Sequence, residues 1–154
     1  MPGPPGGDWN ETVIPVGKGA EGFDVSPDGK QAWVANAWDG TITVIDLAEK
    51  KVTATVQANA RGANRLKFAP NGRALVSAGP ELIVFDVGTK KEVKRLRIGH
   101  GGGGGILVQP DGHRAYVAYA EDGFVAVVDL KTMEVVGKVD AGANPDGLAW
   151  AARE

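Results

Sequence analysis

Apolar and polar residues alternate in short runs along most of the chain, and the runs recur. Phe23 and Val25, Leu66 and Phe68, Ile106 and Val108, and Leu148 and Trp150 each mark a period of two, the signature of a strand with one buried face. Denser apolar runs close on an aspartate in Thr43-Val-Ile-Asp46, Ile83-Val-Phe-Asp86 and Ala126-Val-Val-Asp129. Between the two kinds of run stands a Pro-(Asp/Asn)-Gly turn, at Pro27, Pro70 and Pro110. In such a turn Pro presets φ, Asp or Asn bonds back to the backbone and Gly accepts positive φ, so each is a hairpin corner.

The prolines are 43 and then 40 residues apart, and the aspartates 40 and then 43. One register accounts for both if repeat two lacks three residues between its second and third strands, where Ser77-Ala-Gly-Pro-Glu81 replaces Asn36-Ala-Trp-Asp-Gly-Thr41. Loops absorb such deletions and strands rarely do. Each repeat then has strands A, B, C and D, predicted in repeat one at 22–26, 31–36, 41–46 and 51–57. Antiparallel four-stranded repeats of about forty residues have the size of a β-propeller blade. The expected fold is therefore all-β. A Pro/Gly leader occupies 1–10, an orphan D strand 11–17, and blades follow at 20–57, 63–98 and 104–140. An orphan A strand at 144–151 completes the reading.

Composition agrees with many short strands and tight turns, with 23 Gly and 9 Pro among 154 residues. A net charge of −2 offers no long-range field for nucleic acid, and no run is long and apolar enough to span a membrane. With no Cys, the chain has neither disulfides nor thiolate metal ligands.

The stretches Phe23-Asp-Val-Ser-Pro-Asp-Gly-Lys-Gln-Ala-Trp-Val-Ala-Asn36 and Asp39-Gly-Thr-Ile-Thr-Val-Ile-Asp46 resemble the YVTN-type β-propeller repeat, as do Tyr116-Val-Ala-Tyr119 and Asp122-Gly-Phe-Val-Ala-Val-Val-Asp129. The resemblance covers about residues 12 to 150. It implies a propeller of the kind found in bacterial and archaeal surface and extracytoplasmic proteins, hence a periplasmic, secreted or cell-surface setting. Repeat two departs most, with Leu75-Val-Ser-Ala78 in place of the aromatic-Val-Ala-Asn motif.

In a blade of this kind the D–A and B–C connections share one rim. That rim gathers Trp38, Arg61, Asn64, Arg65, His100 and Tyr119, the candidate ligand-binding residues. Arg65 is distinctive, because Gly22, Gly105 and Gly147 hold the equivalent place; it either points toward a channel ligand or pairs with Glu81 or Glu121. The Gly99-His-Gly-Gly-Gly-Gly-Gly105 run either lets backbone approach an anion closely or is a plain D–A linker; no Gly-Lys-Ser/Thr follows, so it is not a Walker loop. His100 and His113 fall on opposite rims, which disfavours a two-His metal site. The aspartates at 46, 86 and 129 read as turn residues rather than a metal ring. Lys90 to Arg97, although basic, reads as an outer-edge strand whose charges discourage edge pairing. No catalytic residues, metal or cofactor are assigned.

Three whole repeats fall short of the roughly four to eight blades of a closed ring. The expectation is a non-enzymatic scaffold or binding module closed by a homodimer or a complementary propeller half. Val13, Ile14, Val16, Leu148 and Trp150 are the expected interface, with neither nucleic acid nor membrane insertion involved. The alternative is a fragment of an enzymatic propeller, lactonase-like or quinoprotein-dehydrogenase-like, with a channel-mouth site near Arg61, Arg65 and His100.

Overall fold

The structure is a computed structural model and describes residues 10–152. Its first sheet comprises β1 (Ala20–Val25), β2 (Gln31–Asn36), β3 (Thr41–Asp46) and β4 (Lys51–Gln57). The second comprises β5 (Ala63–Ala69), β6 (Arg73–Ala78), β7 (Glu81–Asp86) and β8 (Glu92–Arg97), and the third β9 (Gly103–Val108), β10 (Arg114–Tyr119), β11 (Phe124–Asp129) and β12 (Glu134–Asp140). All three are antiparallel meanders in sequence order, so each repeat is one blade. Gly29, Gly72 and Gly112 all take φ between 70° and 74°, which is why the third turn residue is glycine in every repeat. The expected three-residue deletion is divided: Ala78 pairs with Glu81 across a two-residue turn where Asn36 and Thr41 flank a four-residue loop, which accounts for two residues, and the third is missing from the turn between β5 and β6, where five residues separate Phe68 and Ala74 against six between Val25 and Ala32.

The blades stack face to face, leaving two cores. In the first, Trp33, Ala35, Ile42 and Val44 of blade 1 meet Leu66, Phe68, Val76, Ile83 and Phe85 of blade 2. In the second, Leu75, Leu82 and Val84 of blade 2 meet Ile106, Val117, Tyr119, Ala126 and Val128 of blade 3. Every blade therefore has an incoming face toward its predecessor and an outgoing face toward its successor. The inner strands lie side by side in the order β1, β5, β9. Polar links lock the joints: the Asp24 carboxylate accepts from the Phe68 N–H at 3.0 Å, the Ser77 hydroxyl donates to the Gly104 carbonyl at 2.9 Å, and the Asn71 amide donates to the Leu130 carbonyl at 2.9 Å.

Close approach of the inner strands explains much of the glycine. A Cβ on Gly22 would lie 2.5 Å from Arg65 Cα, and one on Gly105 would lie 2.2 Å from the Asp146 carbonyl oxygen. Rigid backbone cannot move aside as a flexible side chain would. Gly22→Ala is thus expected to cost about 1–3 kcal/mol by overpacking, checked by urea denaturation against Gly29→Ser, where open space leaves only the φ penalty.

The end segments depart from expectation. Residues 11–17 and 144–151 enter no strand ladder. The latter still takes the inner-strand place beyond β9: the Gly105 N–H donates to the Asp146 carbonyl at 3.1 Å, and Leu148 and Trp150 line a crevice with Leu107, Tyr116 and Val125. Residues 1–9 of the expected leader lie outside the described residues.

Candidate functional site at the loop rim and channel mouth

The rim is built by one device used twice. In blade 1 the Lys18 N–H donates to the Asp39 carboxylate at 2.7 Å; in blade 3 the His100 N–H donates to the Asp122 carboxylate at 2.8 Å. The aspartate of each B–C loop thereby fixes the start of the D–A loop of the same blade. Gly17 and Gly99 precede those amides because a Cβ there would collide with Asn36 and Tyr119, 2.6 and 2.5 Å away. Blade 2 lost its aspartate with the deletion. There the Gly62 N–H donates to the Ala37 carbonyl and the Gly103 N–H to the Gly79 carbonyl, both at 2.8 Å, joining each blade to the next.

An exposed His100 pairs with the largely covered Asp122 carboxylate, Nδ1 lying 2.5 Å from Oδ1. The His100 ring hydrogen bond first, and its backbone N–H second, hold the Asp122 carboxyl below the ordinary carboxylate range. A depressed carboxylate pKa favours the folded rim above the unfolded value and loses that contribution as pH falls through the folded one. His100→Ala should therefore raise the Asp122 pKa part of the way back, the backbone bond remaining. Carboxyl NMR titration between about pH 2 and about pH 6 checks this; an unchanged midpoint would remove His100 as the cause.

At the channel mouth Arg65 stands at the head of β5. Its guanidinium donates to the Asn64 carbonyl at 2.8 Å and lies 3.3 Å from Glu21 and 3.5 Å from Asp146. The expected partners Glu81 and Glu121 are not the ones it meets. Glu81 is instead taken by Arg95 at 2.6 Å, and Arg65, on an inner strand, reaches only carboxylates of flanking inner segments. Lys67 and Asp24, 3.5 Å apart, form a second rung below. A cavity of about 330 Å³ opens here among Glu21, Arg65, Lys67, Gly105 and Gly147.

The remaining candidates separate. Trp38 is exposed, its ring resting on the Gly19 backbone, and Arg61 is exposed beside Gly40 at the same joint. Asn64 turns inward, its side-chain amide group 3.0 Å from the Ser77 hydroxyl. Tyr119 is wholly buried between blades 2 and 3, with no partner for its hydroxyl, so it is a core residue rather than a rim contact. Val13 is exposed and Val16 borders a notch on blade 1, whereas Leu148 and Trp150 lean on their own blade 3. The glycine run is filled by packing: Gly99 meets Tyr119, Gly103 meets the Gly79 carbonyl and Gly105 meets Asp146. Asp46, Asp86 and Asp129 each accept a backbone N–H within their own turn, at 2.7, 2.8 and 2.8 Å. Among the described residues no group of three His, Asp or Glu is placed to hold a metal ion.

The feature missed from sequence is Arg95, half-buried within the basic run. It binds Glu81 and Glu92 and reaches the Ala58 carbonyl of blade 1 at 3.0 Å, acting as a staple between blades. The acids that claim it raise its pKa, Glu92 first. No spacing along the chain signals the pair with Glu92, because residues three apart in a regular strand face opposite sides and only the register shift at Val84/Phe85 puts both on one face.

No family model matches the chain. A structure titled Kuenenia stuttgartiensis hydrazine synthase superposes on 92% of it with a TM-score of 0.79 and 25% identity, using 42% of that chain. The chain is a partial β-propeller. Two curated relatives, the uncharacterized protein YncE of Salmonella typhi and of Salmonella typhimurium, are each 27% identical over 146 residues, 92% of this chain. The propeller blades described here span about two fifths of those relatives' length, 41% in each case.

Proposed function

We propose that this chain, built of YVTN-type repeats, is a propeller module that closes into a ring with a second copy of itself. One comparison carries the reading. Phe23, Leu66 and Ile106 occupy the same place on the incoming faces of blades 1, 2 and 3; Leu66 and Ile106 are 1% and 6% exposed, while Phe23 is 66% exposed. The neighbouring Val25 is exposed too, where its counterpart Phe68 is buried. Blade 1 thus presents a surface of the type that elsewhere in the molecule is covered by a blade.

Each copy carries one incoming face on blade 1 and one outgoing face on blade 3, so two copies placed head to tail cover both pairs and close. The rim, with Trp38, Arg61 and His100 turned outward, then serves as the face that receives a protein or small ligand. Sedimentation velocity across a concentration series tests the closure: a species of twice the 16.0 kDa chain mass supports it, and a monomer at every concentration overturns it.

A further inference from the structure

The two joints between blades differ on the opposite rim, where A–B and C–D turns meet. At the first joint a crevice of about 340 Å³ lies between the A–B turn of blade 1 and the C–D turn of blade 2, bordered by Ser26, Asp28, Gln31, Gly88 and Lys90. At the second a crevice of about 430 Å³ holds the same place between blades 2 and 3, bordered by Asn71, Arg73, Lys94 and Lys131. The repeat register matches the two position by position. Gln31 pairs with Asp46 as Arg73 does with Asp86, and Ala54 pairs with Val44 as Lys94 does with Val84. Asp28 and Asn71 are the middle residues of their turns, and Gly88 and Lys131 each follow the strand-closing aspartate by two. From the first joint to the second an acid therefore gives way to an amide, and Gln31, Ala54 and Gly88 give way to Arg73, Lys94 and Lys131. Only Lys90, whose counterpart is Met133, changes in the other direction.

Part of this difference is internal to the fold. The Asn71 amide donates to the Leu130 carbonyl at 2.9 Å, which a carboxylate cannot do. Arg73 pairs through one guanidinium nitrogen with Asp86, whose other oxygen accepts the Thr89 N–H. Asp129, at the start of the blade 3 turn, has one oxygen taken by the Lys131 and Thr132 N–H groups. The two lysines have no such account. Lys94 reaches across the joint to the Thr132 carbonyl at 3.3 Å, and Lys131 is exposed on the turn. Among the described residues neither is in an ion pair. Val93, Leu130 and Met133 complete the lining with apolar surface.

We infer that this crevice binds the phosphoryl group of a small soluble ligand. A phosphate monoester carries about −1.5 to −2 charge near neutral pH, which matches the two lysines that no carboxylate balances. Its three free oxygens accept from the ammonium groups and from the guanidinium N–H groups that Asp86 leaves open. The apolar lining receives the body of the ligand, and the volume falls in the range of small-molecule sites, roughly 300–1,000 Å³. The crevice lies within one chain, between blades 2 and 3, so the inference depends neither on ring closure nor on the loop rim.

The test titrates phenyl phosphate into the labelled full chain at constant ionic strength, set with sodium chloride, and follows backbone amides by NMR. Benzoate, with the ring and a single charge, is the control. Saturable shifts are expected at Asn71, Lys94 and Lys131 and not at Asp28 and Gly88, their counterparts or neighbours at the first joint. Affinity is expected to fall about two- to fivefold in each of Lys94→Ala and Lys131→Gly, which install the residues of the preceding blade, and to stay unchanged in Lys90→Ala. No saturable shift, equal binding of benzoate, or an equal loss in Lys90→Ala overturns the inference. If Lys94→Ala does not fold, Lys131→Gly on the exposed turn still decides, since an unchanged affinity there counts against the site. Shifts produced only by vesicles carrying phosphatidic acid, and not by phenyl phosphate, overturn the soluble source.

Discussion

Phe23→Asp is expected to leave the chain folded and to weaken its self-association about a hundredfold or more, raising the dimer dissociation constant, whereas Leu66→Asp, a carboxylate at the equivalent position, unfolds it. The two residues share a place in the repeat, and only burial separates them. A carboxylate at position 23 remains in water in the single chain. It becomes costly only when a second copy covers it, where an unpaired charge at the centre of an interface loses more than about 3 kcal/mol. At Leu66 that cost falls on the fold itself, added to the roughly 1.5–3 kcal/mol of lost leucine burial. Circular dichroism, thermal melting and sedimentation of both variants check the pair. If Phe23→Asp associates as the wild type does, blade 1 is not the contact face.

Trp33→Ala should be the most damaging single truncation, at about 3–5 kcal/mol. Trp33 is wholly buried between blades 1 and 2, its ring edge-on to Phe68 with centroids 5.5 Å apart at 71°, and its indole N–H donates to the Gln31 side chain at 2.9 Å. Removing it empties the joint that holds the first blade to the other two. Urea denaturation is expected to show a lower midpoint and, if blade 1 then melts separately, a second transition. A loss below about 1 kcal/mol would mean the joint closes over the gap.

Much of this architecture was legible from the chain alone, because the signals were local and repeated. The three Pro-(Asp/Asn)-Gly corners, the aspartates that close each third strand and the period-two apolar pairs each follow from interactions within a few residues. The three-residue deletion could be counted for the same reason, since strands must keep their register, but only two of the residues are missing between β6 and β7 and the third is missing from the β5–β6 turn, which the spacing of the two markers does not distinguish. The turn role of Asp46, Asp86 and Asp129 was equally local.

The tertiary structure decided what depends on neighbours distant in sequence. Tyr119 shares a loop-edge position with Asn36 yet is sealed inside the joint between blades 2 and 3, because blade packing and not loop membership sets exposure. Arg65 found Glu21 and Asp146 on flanking inner segments, partners that no spacing along the chain encodes. Each C–D ladder also carries a register shift at the same repeat position, at Val44/Ile45, Val84/Phe85 and Val127/Val128, which local propensity does not announce. The hydrophobic pattern thus determined by itself that this chain makes blades, since alternation and turn chemistry act within one repeat. Which faces are covered and which glycines are forced by backbone contact were decided only when the blades were brought together, because each is a property of two repeats at once.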